Sequence, residues 1–170
     1  MVELRTQRLM LRTAQRQDRE GVAAVFECET VRRWWGTQSG DDIEEFTADA
    51  EPDTTRMIIE LMGAVIGVIQ FHEEDEPMYR HAGIDVAIHR DHQRQGLASE
   101  AIRAVIDHLA SLGHHRVVID PNAANKTAIA TYRSLGFREV GIMSSYEWSE
   151  HLQCWTDGLL MELLISESAD

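Results

Sequence analysis

The stretch best equipped for chemistry is Gln93-Arg94-Gln95-Gly96-Leu97-Ala98-Ser99, which lies between an alternating segment and a helical one. Ile84, Val86 and Ile88 alternate with Asp85, Ala87 and His89, the period of a strand. From Leu97 the apolar residues recur at the three-to-four spacing of a helix. The junction is therefore a helix N-terminus, which presents unpaired N–H groups and about half a positive charge. Backbone amides converging there make a phosphate site. Gly96 lets an anion come close to the backbone, and Ala98 keeps the next turn narrow. His89, Arg90, His92 and Arg94 cluster around this turn, with Lys126 a further candidate neighbour, in a chain of net charge −13. A basic spot in a strongly acidic chain suits a polyanionic ligand.

A second constellation begins at Asp120-Pro121 and runs through Asn125, Ala128 and Tyr132 to Gly136-Phe137. Asn125 stands where it caps a helix and can also hydrogen-bond an amide-rich ligand. Ala128 lies one turn on and Tyr132 one further, on the same face. The same residues also read, without any ligand, as an ordinary capped helix with a packed tyrosine.

Together the two motifs resemble the Gcn5-related N-acetyltransferases. Gln93-x-x-Gly96-x-Ala98 matches their acyl-CoA signature, and Asn125, Ala128, Tyr132 and Gly136-Phe137 match their fourth-helix pattern. The resemblance covers essentially the whole chain and implies acetyl transfer from acetyl-CoA to a primary amine. It assigns the cofactor to Val86 and Ile88, whose backbone groups would pair the peptide-like pantetheine arm. It adds Gln93, Arg94, Gln95, Gly96, Leu97, Ala98, Ser99, Asn125 and Ala128, with the amides of Arg94 to Ser99 on the pyrophosphate. An alkylamine is mostly protonated at neutral pH, and freeing one of pKa ~9 at pH 7 costs roughly 2.7 kcal/mol. A placed carboxylate takes that proton. Asp120 is the candidate base and Tyr132 the candidate acid for the leaving thiol.

A narrower resemblance names an acceptor. Trp34-Trp35-Gly36, Gly83-Ile84-Asp85, Asp120-Pro121 and Thr156-Asp157-Gly158 look like segments of the aminoglycoside 6'-N-acetyltransferases. Carried over, Trp35, Asp85, Asp120 and Asp157 line the drug pocket. Asp85 in a buried strand is costly unless paired, which favours a ligand role. Asp157 before Gly158 reads equally as a turn signal. Tyr146, Glu147, Trp148 and Glu150 form an acidic-aromatic stretch that either rims the cleft or is solvated. The opening Leu4–Arg12 also resembles acetyltransferases acting on ribosomal protein N-termini. Segments 73–81 and 143–153 match neither pattern and are the expected specificity loops.

These groups need a scaffold. The elements read as a strand over 3–13, a helix from Asp18 to Glu29, Trp34-Trp35 in a loop, and a short helix near 41–50 capped by Ser39. A hairpin of 55–62 and 64–72 turns at Met62-Gly63, ahead of an acidic loop at 73–77. Then come strand 83–89, helix 96–112, strand 116–120, helix 125–135, and final strands 138–146 and 154–164. The order β-α-α-β-β-β-α-β-α-β-β indicates one α+β domain over residues 1–170, a mostly antiparallel mixed sheet flanked by helices.

Composition bounds the rest. The net charge argues against nucleic acid or an anionic membrane as partner and suits a cationic small-molecule amine. No apolar run approaches the ~18 residues that span a bilayer, and the N-terminus carries no apolar signal region. A cytoplasmic monomer or homodimer is expected. Cys28 and Cys154 read as reduced thiols, and the histidines show no metal-binding spacing. His114-His115 reads as capping or surface at a helix end.

Overall fold

The computed structural model describes residues 1–48 and 52–165. The alternation at 84–88 is that of β5 (His81–Ile88), near the middle of an eight-stranded sheet ordered β1-β2-β3-β4-β5-β6-β8-β7. The other strands are β1 (Glu3–Arg5), β2 (Leu9–Thr13), β3 (Thr54–Leu61), β4 (Ala64–Glu74), β6 (Arg116–Ile119), β7 (Arg138–Ser149) and β8 (Cys154–Leu164). Five helices flank them: α1 (Arg19–Glu27), α2 (Glu29–Trp35), α3 (Gly40–Phe46), α4 (Leu97–Ser111) and α5 (Lys126–Ser134). Every pairing is antiparallel except β5–β6. The α+β class and the mixed, mostly antiparallel sheet are as expected.

Strand periodicity sorts the apolar residues onto two sheet faces. Met57, Ile59, Ile69, Phe71, Ile84 and Ile88 join Leu97, Ile102, Val105 and Leu109 of α4 and Ile129 and Tyr132 of α5 in one cluster. Ile58, Val68 and Ala87 join Val22, Val25 and Phe26 of α1, Val31 of α2, and Ile43 and Phe46 of α3 in the other. Asp85 shares the parity of Ala87, so it stands on the face of α1–α3.

The parallel pair β5–β6 is short. Its register runs only through Ala82↔Val117 and Gly83↔Val118. Beyond Gly83 the two strands part, and Asp85 and Asp120 lie at this parting.

Some expected elements differ, each for a reason distant in the chain. The strand expected over 3–13 is two strands folded back at Thr6–Arg8. That turn is held by Glu100 of α4, which accepts from the Thr6 hydroxyl at 2.5 Å and the Arg8 amide at 2.8 Å. The helix expected to end at Glu29 breaks at Cys28, whose backbone is extended. The Trp34-Trp35 pair is the last turn of α2 rather than loop, and Gly36 ends that helix at φ +71°. Ser39 caps α3 as expected, but residues 49 and 50 of the predicted helix lie outside the described residues. Glu73 and Glu74 extend β4, and the supposed loop after residue 146 is the continuation of β7. His114 is not a surface residue: its side chain is fully buried, with Nε2 2.8 Å from a Glu73 carboxylate oxygen.

Candidate active site

Two motifs meet at the parting of β5 and β6. The first is the turn leading into α4. Gln93 anchors it, donating from Nε2 to the Ile88 carbonyl at 2.8 Å and to the Thr30 hydroxyl at 3.1 Å. Arg94 and Gly96 both hold left-handed backbone, at φ +60° and +75°. For Arg94 that conformation costs about 1 kcal/mol, which the turn geometry imposes. Gly96 is the N-cap of α4 and provides no side-chain cap. Among the described residues, the amides of Arg94 to Ser99 donate to no backbone carbonyl. The turn is thus a helix end with its donors unspent. Leu97 is buried beneath it, Ala98 and Ser99 are half-buried, and Gln95 braces it through a 3.1 Å bond to the Asp91 carbonyl.

The second motif starts α5. Asn125 caps that helix, its Oδ1 accepting from the Ala128 amide at 3.2 Å. Ala128 packs half-buried against the α4-side cluster. Tyr132, one turn on, is 7% exposed, and its ring stands 6.1 Å from that of Phe137. Burial, and then the negative charges of Asp85 and Asp120, hold its hydroxyl well above the ordinary phenol value. At neutral pH it is a firmly held proton within electrostatic reach of both carboxylates.

Asp85 is half-buried and accepts from Nε2 of Gln70, its cross-strand partner on β4, at 3.0 Å. Burial raises its carboxyl above the usual range; the Gln70 bond opposes that, and the nearby Asp120 charge adds to it. A carboxyl so placed holds a proton more readily than one in water and is relieved by an incoming cation. His72 lies along the same face. A Cβ on Gly83 would stand 2.1 Å from its ring, so only glycine lets the imidazole cross the strand there.

Asp120, just past β6, is joined by a residue that sequence reasoning left either at the cleft rim or in solvent. Hydrogen bonding to the Asp120 carboxylate, ahead of its charge and of burial, lifts the Tyr146 phenol to about 12. Tyr146 is therefore a donor at every working pH. Gln70 was not anticipated at all, and nothing in a lone glutamine on a strand signals it.

The remaining predicted pocket residues are Asp157 and Trp35. The Asp157 carboxylate accepts from the Ser145 amide at 2.8 Å, and Asp157-Gly158 is mid-strand rather than a turn. Trp35 packs its ring 5.4 Å from Phe26, yet also lines a cavity of about 240 Å³ with Trp34, Asn122, Glu147, Trp148 and Glu150. That cavity adjoins the carboxylate pair through Asn122, two residues beyond Asp120, and Glu147, next to Tyr146. The Asn122 amide donates to Glu147 and, at 2.9 Å, to Thr156. Glu150 holds the Thr37 amide at 2.8 Å, tying the loop after α2 to the β7–β8 hairpin.

Comparison with known proteins places this geometry. The model of the acetyltransferase (GNAT) family matches residues 19–137, spanning both motifs. The chain belongs to the GNAT acetyltransferase family. The uncharacterized N-acetyltransferase YoaA of Bacillus subtilis is 32% identical over 158 residues, covering 84% of this chain and 86% of that protein. The [ribosomal protein bS18]-alanine N-acetyltransferase of Escherichia coli is 39% identical over 62 residues, 36% of this chain and 42% of that protein. In fold, the chain is similar to spermidine N-acetyltransferase from Vibrio cholerae in complex with CoA and spermine. That likeness has a TM-score of 0.81 at 22% identity and covers 94% of this chain and 97% of that one.

As a GNAT acetyltransferase the protein is an N-acetyltransferase, and acetyl-CoA is the donor its family uses. The residues present fit that donor. Among the described residues, the amides of 94–99 donate to no backbone carbonyl. A Cβ on Gly96 would meet nothing nearer than Arg8 Nη2 at 3.6 Å, so the glycine leaves open space at the turn. The edge of β5 beyond Gly83 is not paired to β6. Among the described residues no helix is long and apolar enough to cross a membrane.

Proposed function

We propose that this GNAT acetyltransferase acetylates a primary amine of a cationic small molecule, the 6'-amine of an aminoglycoside being the best-fitting acceptor. One observation carries the reading: Asp85 on β5 and Asp120 just past β6 stand where the two strands part, and the charges of both reach the Tyr132 and Tyr146 hydroxyls. An ammonium group entering there meets two carboxylates in a partly desolvated gap, where charge pairing is strong. The cavity walled by Trp34, Trp35 and Trp148, with Glu147 and Glu150, accommodates a polyhydroxylated ring carrying further ammonium groups.

The gap divides labour between the sheet faces. The α4 turn and α5 lie with the first cluster, and the tryptophan cavity lies with the second. On the donor side, residues 93–99, Val86 and Ile88 hold acetyl-CoA, with Asn125 and Ala128 beside it. When bound, it supplies an acetyl group activated as a thioester. The chain supplies the proton transfers. Asp120 takes the proton that the ammonium must lose, and Asp85 holds that ammonium in place. Tyr132 keeps a proton at its hydroxyl for the departing sulfur. Acetylation removes one positive charge from the acceptor, the change that weakens a polycationic drug.

A second reading, acetylation of a protein N-terminus, is favoured by the 39% identity to the ribosomal-protein enzyme. Incubation with acetyl-CoA and either kanamycin A or an alanine-initiated peptide, with mass detection of the product, decides between them. Acetylated kanamycin with the added mass on its 6'-bearing ring is expected. Turnover of the peptide alone refutes the aminoglycoside reading.

A further inference from the structure

The Asp157-Gly158 pair lies at the crossing of two segments that must agree in position. On one side, the loop carrying Asp120 is stitched to β8. The Leu159 amide donates to the Pro121 carbonyl at 2.9 Å, and the Ala123 amide to the Asp157 carbonyl at 2.8 Å. An isolated bridge joins Asn122 to Gly158 between them. On the other side, β7 bulges. Met143 pairs with Gly158 and Glu147 with Thr156, so residues 144–146 face Asp157 alone. Two extra residues are accommodated there, with Ser145 in left-handed backbone at φ +50°. The Asp157 carboxylate accepts the Ser145 amide at 2.8 Å, at the point of greatest strain. Gly158 clears the way for what the bulge presents, since a Cβ there would stand 2.8 Å from the Tyr146 ring and 2.9 Å from Met143.

We propose that Asp157 is a positioning residue: its carboxylate fixes the β7 bulge that presents the Tyr146 hydroxyl to Asp120, and it makes no contact with the acceptor. Through its carbonyl it registers the Asp120 loop, and through its side chain it registers the Tyr146 bulge. One residue thereby sets the distance between hydroxyl and carboxylate. Tyr146 in turn orients Asp120 toward the gap by donating to it. This deepens the function proposed above and rests on it for the claim that Asp120 faces the amine.

A role in positioning needs only an acceptor oxygen, whereas a contact with a cationic substrate needs the charge. Asp157→Asn keeps the first and loses the second; Asp157→Ala loses both. Steady-state kinetics with acetyl-CoA and kanamycin A, or the alanine-initiated peptide if that is the acceptor, separate the cases. Asp157→Ala and Tyr146→Phe are each expected to lower kcat/KM by about ten- to a hundredfold, the worth of one hydrogen bond to a charged group. The double variant falls no further than the worse single one, and Asp157→Asn restores activity to within about threefold of the wild type. Asparagine as damaging as alanine, or losses that multiply in the double variant, overturns the proposal. Amide exchange at Ser145 needs no acceptor: it quickens in Asp157→Ala and not in Asp157→Asn, and unchanged exchange in the alanine variant also overturns the proposal. A wild type inactive on both acceptors refutes the amine reading, and the exchange measurement still decides whether Asp157 holds the bulge.

Discussion

Gly96→Ala separates the two things that glycine does. Its φ of +75° is left-handed, where an L-residue costs about 1–2 kcal/mol. For a chain of this size that lowers Tm by roughly 2–8 °C. No clash adds to it, because the nearest heavy atom to the new methyl is Arg8 Nη2 at 3.6 Å, an ordinary contact with the end of a long side chain. The methyl instead stands among the amides of residues 94–99. Each charge-assisted hydrogen bond it displaces from a bound diphosphate costs about 1.5–3 kcal/mol, so affinity for coenzyme A should fall at least about tenfold. Gly113→Ala is the matched control. It sits at φ +89° beyond the far end of α4, with only Arg80 Nη1 near its Cβ, at 3.2 Å. It carries a similar backbone cost and no ligand. Thermal unfolding and calorimetric titration of coenzyme A are measured on both variants. If Gly96→Ala loses stability like Gly113→Ala yet binds coenzyme A within about twofold of the wild type, the diphosphate does not sit at this turn.

Tyr132→Phe should lower kcat by about 10²–10⁴-fold, the range for a positioned acid; a loss under tenfold in single-turnover measurements removes the phenol from that role. Asp18 is 7% exposed and makes two 2.7 Å bonds to Arg12, which, more than any other influence, hold its carboxyl below the usual range. A depressed carboxyl contributes stability that is present above its unfolded pKa of about 3.9 and is lost as pH falls through the folded value. Asp18→Asn should therefore cost about 2–3 kcal/mol in urea unfolding at pH 7, and the gap to wild type should narrow at pH 3. A gap that widens in acid contradicts the assignment. Gly67→Ala puts a Cβ 2.5 Å from the Ala87 carbonyl oxygen and 2.7 Å from Ile88 Cδ1, across the β4–β5 pairing. Neither strand can yield without breaking the ladder, so a loss of about 3 kcal/mol or more is expected, and a near-neutral unfolding midpoint counts against this packing.

What was legible in the sequence was local. The strand–turn–helix around Gly96, the Asn125 cap, the helical apolar spacing of α4 and the Met62-Gly63 hairpin depend on neighbours a few residues away, and each stands where periodicity or capping put it. That Asp85, Asp120 and Tyr132 share one site was an expectation carried by the family resemblance, not by periodicity. What was not legible depends on partners far along the chain. The fold-back at Thr6–Arg8 answers to Glu100, over ninety residues later. His114 is drawn inward by Glu73. The acidic-aromatic stretch at 146–150 carried a signal of composition but none of direction, because direction follows from the bulge opposite Asp157.

The site lies where the sheet's own hydrogen bonding stops. A parallel pair two residues long leaves β5 free beyond Gly83 and β6 ending at Ile119. A continuous sheet would have spent those backbone groups on itself and walled one face from the other. The parting lets Tyr132, from the α4 side, come within electrostatic reach of carboxylates that belong to the α1–α3 side. Among the described residues the donor bonded to Asp85 is the neutral Gln70, so burial, with the Asp120 charge, raises its carboxyl although Gln70 and the nearby His72 oppose that. That combination is costly in an empty protein and is relieved by an ammonium group. The same gap that admits a donor on one face thus creates, on the other, the electrostatic need for an amine.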